Sequence, residues 1–135
     1  MPAATFELEI ATPERLLIRE RVEEAQIPAS NGYLGILPEH APLLAELGAG
    51  ALTYKSEGRL RSLAVAGGWV EVLPDHTRVL AITAERADEI DARRAQESLR
   101  RAQERLENPS AGIDIARALN ALKRAQARLA AAEHQ

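Results

Sequence analysis

Arginine is the residue type on which any chemistry in this chain would turn. Asp91, Arg94, Ser98 and Arg101 follow one another at three- and four-residue steps, and so do Arg117, Ala121, Arg124 and Arg128. On a helix, such steps place side chains along one stripe. Two helices folded back on each other would bring the stripes to the flanks of one groove. Several guanidinium groups with a carboxylate nearby suit a polyphosphate joined to a sugar or base. The same spacing also fits a solvated, salt-bridged helical surface. An arginine-rich RNA-binding helix fits least, because glutamates are interleaved and the net charge is -3.

Other chemistry finds little support. His40, His76 and His134 are not paired at metal-ligand spacing, and there is no cysteine. Gly32-Tyr33-Leu34-Gly35 runs into Ile36-Leu37-Pro38, with no Lys or Ser/Thr behind it, so it is no phosphate loop. No serine sits in a nucleophile elbow, and the carboxylates are scattered. The residues therefore argue against an independent enzyme and against a metal site. Aromatics are 3% of the chain, which disfavours a base-stacking nucleic-acid binder. A pI of about 5.7 disfavours a protein that coats DNA or an anionic membrane. No apolar run approaches the roughly 20 residues of a spanning helix. Met1-Pro2-Ala3-Ala4 carries no basic flank or apolar stretch of a secretion signal. The expectation is a soluble protein of a reducing compartment.

The elements that must position the arginines occupy the second part of the chain. Its 135 residues make one domain, or one domain with an appendage. Up to about Thr83 the period is two: Phe6, Leu8 and Ile10 alternate with Thr5, Glu7 and Glu9. Val22 to Ile27, Leu52 to Tyr54, Leu60 to Val65, Trp69 to Leu73 and Arg78 to Ile82 read as further strands. Turn formers separate them at Thr12-Pro13, Asn31-Gly32, Gly48 and Gly50, Glu57-Gly58, Gly67-Gly68 and Pro74-Asp75. Many short strands at this spacing predict an all-β sandwich or barrel.

After Glu85, glycine nearly disappears and strong helix formers take over. Ala92, Ala95, Leu99, Ala102 and Leu106 form one apolar stripe. Asp88, Glu89 and Asp91 are expected in its first turn, where they suit the helix dipole. Asn108-Pro109-Ser110-Ala111-Gly112 breaks the helix, and Asp114 can cap a second one. The second stripe is Ile115, Ala118, Leu122, Ala125, Leu129 and Ala132. The short break implies an antiparallel hairpin with a mostly alanine seam. At about 25 cal/mol per Å², such a seam gives far less than leucine would. The hairpin is therefore expected to need a ligand, the β domain or a partner to hold it. The reading is an α+β chain: residues 1–84 form the β domain and residues 85–135 the helical hairpin.

Pro28 to Leu44 reads as a loop that holds two glycines, three prolines and a near-continuous apolar stretch. It reads either as a buried crossover between two sheets or as a stiff apolar contact surface for another protein.

Three local matches carry a family resemblance that spans essentially the whole chain. Gly32-Tyr33-Leu34-Gly35-Ile36-Leu37-Pro38-Glu39-His40-Ala41-Pro42-Leu43-Leu44 resembles the G-x-L-G-I-x-P-x-H-A-P-L-L signature of the ε subunits of bacterial F-type ATP synthases. Their mitochondrial equivalent is the δ subunit. Gly67-Gly68-Trp69-Val70-Glu71-Val72 resembles that family's G-G-x-x-E-V strand entry. Ile90-Asp91-Ala92-Arg93-Arg94-Ala95 resembles the I/L-D-x-x-R-A motif of members that bind ATP.

The resemblance implies an N-terminal β-sandwich and a C-terminal helical hairpin in a non-catalytic subunit of the central stalk. The sandwich would touch the γ subunit and the c ring and turn with the rotor. The hairpin would fold against the sandwich or extend along γ into the catalytic head, where it blocks ATP hydrolysis. ATP would be a regulatory ligand of the folded form, with no cofactor required and no essential metal. Its implied contacts are Glu85, Ile90, Asp91, Arg94, Ala95, Arg101, Arg124 and Arg128. Asn31, Gly32 and Tyr33 are implied at the c ring and His40 towards γ. Tyr33 replaces an acidic residue of the family pattern at the ring contact. The implied location is the cytoplasmic face of the bacterial membrane, reached only through the complex, with no nucleic-acid partner. A freestanding nucleotide-sensing adaptor of the same fold is the alternative. Only the stalk subunit needs the rigid apolar surface at Pro28 to Leu44.

Overall fold

The computed structural model describes residues 4–108 and 112–133. Met1, Pro2, Ala3, His134 and the expected helix breakers Pro109, Ser110 and Ala111 lie outside the described residues.

Strand β1 (Phe6–Ala11) shows how the pattern becomes a layer. Phe6, Leu8 and Ile10 are at most 1% exposed, while Glu7 and Glu9 are half-buried on the other face. β1 pairs antiparallel with β2 (Leu16–Val22) and parallel with β8 (His76–Arg86). Next come β7 (Arg59–Val72), β6 (Ala49–Ser56), β3 (Glu24–Ala29) and β4 (Gly32–Ile36), while β5 (Leu43–Glu46) adds to β7. The strands close into a β-sandwich. Its core is aliphatic apart from Phe6 and Tyr54, with Ile10, Ile27, Leu52, Leu63, Val70 and Val79 fully buried.

β7 serves both layers. It pairs with β6 as far as Ala66, and with β5 from Trp69. The exchange falls on Gly67 and Gly68, whose φ values are +71° and +116°. A Cβ on Gly68 would lie 1.9 Å from the Leu80 carbonyl oxygen, so only glycine allows β7 and β8 to stay paired through the bend. The turn expected at Gly67-Gly68 is thus a bend inside one strand, and the two strands expected on either side of it are one.

Three other expectations are corrected. Val22 to Ile27 is not one strand: β2 ends at Val22 and β3 begins at Glu24. The segment from Pro28 to Leu44 is not a loop. Pro28 and Ala29 end β3, β4 pairs back onto it, and only residues 37–42 cross to β5. That crossing is not buried, since Leu37 is 59% exposed. Asp88 and Glu89 do not open a helix. They belong to a separate 3₁₀ turn, Ala87–Glu89, and the helix starts later.

Helix α1 (Ala92–Glu107) and helix α2 (Ile115–Ala132) form the expected hairpin. Ala95 and Ala102 of α1 are buried, as are Ala118 and Ala125 of α2. Ile115, expected on the seam, is 58% exposed. α2 has a second buried face: Ala127 and Ala131 pack with Ile90 onto Ala51 of β6 and Ala64 of β7. The hairpin is folded back, with α2 resting on the sandwich.

Candidate functional site

Each helix starts where an aspartate caps it. Asp91 accepts a hydrogen bond from the Arg94 backbone N–H at 3.1 Å, and Asp114 accepts one from Arg117 at 3.1 Å. These caps fix where each helix begins, and the buried alanines Ala95, Ala102, Ala118 and Ala125 set its rotation and hence the direction of its arginines. Because the facing seam residues are alanines, long side chains on the flanks reach across a narrow groove. Ser98, Arg101 and Arg105 of α1 face Ala121, Arg124 and Arg128 of α2 around a space of about 180 Å³.

Glu85 supplies the carboxylate. It lies in β8 opposite Ala64, on the sheet face that carries α2. Arg128 donates to Glu85 Oε1 through Nε at 2.7 Å and lies 2.5 Å from it through Nη2. Both side chains are about a third exposed, so the pair is screened less than an open surface bridge. Glu85, Arg124 and Arg128 line a second space of about 190 Å³ between α2 and the sandwich, with Ala64, Thr83 and Ala127. Arg124 and Arg128 thus border both spaces. Towards the hairpin bend the groove widens to about 510 Å³, where Arg105, Arg117 and Arg124 meet.

The structure brings Arg101, Arg124, Arg128 and Glu85 together. Arg101 is steadied by a 3.2 Å hydrogen bond from Nη2 to Ser98 Oγ. Ile90 is buried between α2 and the sandwich, and Ala95 is buried in the seam. Asp91 and Arg94 stand at the head of α1, outside the residues that line the groove. Asp91 is occupied as the helix cap. Arg105 is the groove residue that sequence reasoning missed. It lies one further four-residue step beyond Arg101, so extending the stripe by one turn would have found it.

The 3₁₀ turn that leads into α1 is tied to the sandwich by a second carboxylate. Glu89 accepts from Arg15 Nη2 at 2.8 Å and from Arg86 Nε at 3.2 Å. The Arg15 hydrogen bond is the main reason its pKa lies below the usual glutamate value, and Arg86 adds to it.

Asn31, Gly32 and Tyr33 form the exposed tip of the β3–β4 hairpin. The Tyr33 hydroxyl lies over Gly50, where a Cβ would approach it to 2.8 Å. His40 sits in the crossing to β5, with Nδ1 donating to the Ala41 carbonyl at 2.7 Å. On the outer face of β5, β7 and β8, apolar side chains are interleaved with the charged Glu46, Glu71 and Arg78. Trp69 stands opposite Leu80, flanked by Leu44 and Ile82, and all four are more than half exposed.

Comparisons with known proteins agree with one another. Residues 5–87 match the model "ATP synthase, Delta/Epsilon chain, beta-sandwich domain", and residues 88–133 match "ATP synthase, Delta/Epsilon chain, long alpha-helix domain". The ATP synthase epsilon chain of Solibacter usitatus is 58% identical over 129 residues, covering 96% of each chain. That of Moorella thermoacetica is 46% identical over 130 residues, 96% of this chain and 97% of its own. A chain in the Euglena gracilis mitochondrial ATP synthase structure (OSCP/F1/c-ring) superposes with a TM-score of 0.78 at 23% identity. That superposition covers 91% of this chain and 78% of the other, and it establishes the shared fold.

Proposed function

The chain belongs to the ATP synthase delta/epsilon family as a bacterial epsilon chain, a non-catalytic subunit, and from that premise we propose how it acts. It is a central-stalk subunit whose sandwich couples γ to the c ring. Its hairpin binds ATP when folded back and inhibits ATP hydrolysis when extended into the catalytic head. It works at the cytoplasmic face of the membrane, which it reaches through the complex; no helix among the described residues is long and apolar enough to cross one.

One observation carries the ATP reading: Arg101, Arg124 and Arg128 meet beside Glu85 only because the hairpin is folded. Extension of the helices would separate the two arginine stripes. A polyanion held between them therefore favours the folded state. The guanidinium groups serve the phosphates, and Glu85 is free to accept from ribose or base once Arg128 turns to the phosphates. Asp91 and Arg94, at the head of α1 and outside the groove lining, reach the ligand only if their side chains turn towards it.

The sandwich supplies the coupling surfaces. The tip at Asn31, Gly32 and Tyr33 meets the c ring, stiffened by strand pairing on one side and by Gly50 beneath Tyr33. Leu44, Trp69, Leu80 and Ile82 are exposed apolar side chains that suit γ, and His40, in the crossing to β5, lies towards γ. A freestanding nucleotide sensor would have no need of those exposed side chains.

Titrating the isolated, ¹⁵N-labelled chain with ATP tests the ligand reading. Amide shifts at Arg101, Arg124 and Arg128 that saturate together support it. Shifts confined to α1, or absent, overturn it.

A further inference from the structure

Strand β2 carries a residue that its pattern does not call for. Ile18 stands opposite Ile10 of β1, Glu20 opposite Leu8 and Val22 opposite Phe6. Opposed residues of an antiparallel pair share a face. Phe6, Leu8 and Ile10 face the core, so Glu20 is directed inward between two apolar neighbours. Its Oε1 is buried and has no hydrogen-bond partner among the described residues. An unpaired buried carboxylate oxygen is costly, and an apolar side chain there would avoid the cost. Departures of this kind concentrate at functional sites.

Glu20 opens onto a half-open cleft of about 360 Å³ at the mouth of the sandwich. Tyr54 of β6 borders it and is 4% exposed. Burial, and after it the Glu20 carboxylate, pushes the Tyr54 hydroxyl far above its ordinary pKa, so it stays a neutral phenol. Ile18, Leu60, Leu63 and Ala87 form apolar walls, and Ser62 with the exposed Arg61, Arg86 and Asp88 completes the cleft. Neither arginine pairs with Glu20 among the described residues; Arg86 engages Glu89.

We propose that this cleft binds a small zwitterion, its ammonium on the Glu20 carboxylate and Tyr54 hydroxyl and its carboxylate on Arg61 and Arg86. A simple cation would satisfy Glu20 and be repelled by two guanidinium groups. A simple anion would meet them and be repelled by Glu20. A molecule bearing both charges, with a short apolar middle against Ile18, Leu60 and Leu63, answers Glu20 and the two arginines together, while Asp88 at the exposed rim adds to the pull on its ammonium. The volume falls in the range of small-molecule pockets. The cleft shares no lining residue with the arginine groove, so the two sites are independent.

The test uses the full chain, ¹⁵N-labelled, titrated with 4-aminobutyrate, butylamine and butyrate. The expected result is saturable amide shifts around Glu20, Tyr54 and Arg61 with 4-aminobutyrate. Binding of the two singly charged probes should be at least about tenfold weaker. Glu20→Gln and Arg61→Ala should each remove the shifts while leaving the spectrum dispersed and the response to ATP unchanged. Equal binding of butylamine, shifts that survive in either variant, or no saturable shift with 4-aminobutyrate would each overturn the proposal. The last result would leave Glu20 as a carboxylate satisfied by ordered water alone.

Discussion

Residue identity matters most where geometry leaves no alternative, and Gly68 is the sharpest case. Its φ of +116° and the 1.9 Å approach of a Cβ to the Leu80 carbonyl exclude every other side chain. Gly68→Ala is expected to cost ~3 kcal/mol or more, read as a lowered urea midpoint. Gly58 also has positive φ but faces open space, so Gly58→Ala should cost only about 1 kcal/mol. Equal costs at the two positions would contradict the bend in β7. Glu89 gives a pH prediction. Its folded pKa is lowered, first by Arg15, so its contribution is present above the unfolded value of about 4.3 and lost as pH falls through the folded one. Thermal unfolding followed from about pH 6 down to about pH 3 should show wild type losing its advantage over Glu89→Gln. A constant difference across that range would mean that the Arg15–Glu89 contact contributes nothing.

At the scale of elements, what the residues disclosed and what they hid have physical reasons. β1 was legible because Phe6, Leu8 and Ile10 alternate cleanly, and the hairpin because its alanine stripes keep helical period. β2 was missed because inward-facing Glu20 breaks the alternation between Ile18 and Val22. β4 was hidden by Gly32 and Gly35, and the continuity of β7 by a glycine pair that usually marks a turn. The arginine groove was legible from spacing at Arg101, Arg124 and Arg128, whereas Asp91 and Arg94 of the same stripe fall outside its lining and Arg105 was missed. The docking of α2 on the sandwich was not, because Ala127 and Ala131 lie off the main stripe and their partners Ala51 and Ala64 are remote in sequence. That docking is thin, since alanines bury little area. Ala131, fully buried, is therefore a sensitive point: Ala131→Leu should cost about 1–3 kcal/mol by overpacking and should free the hairpin. Hydrogen exchange would report it as faster exchange in α1 and α2 with the strands unchanged. The converse dissection concerns the sandwich. Every buried residue of its core cluster lies between Phe6 and Ala81, so a chain ending at Ala87 should fold alone. Its circular dichroism should show strand signal and a cooperative thermal transition; loss of both would contradict a sandwich with its own core.

For the whole molecule, the central claim is that a weakly docked hairpin is held down by the ligand its arginines gather around. A ligand shifts such an equilibrium only through its preference for one state. At about 100 times its dissociation constant it contributes roughly 2.7 kcal/mol, comparable to what a seam of alanines provides. Arg128 is central to this balance because it already ties α2 to β8 through Glu85. Calorimetric titration of the full chain with ATP, beside an Arg124→Ala, Arg128→Ala double variant and Arg128→Lys, is the most direct measurement. The account predicts one saturable site in wild type, lost in the double variant and weakened by lysine, whose point charge cannot replace a planar fork. Equal heats from wild type and the double variant at millimolar ATP would contradict it, leaving a coupling subunit whose hairpin answers to something other than nucleotide.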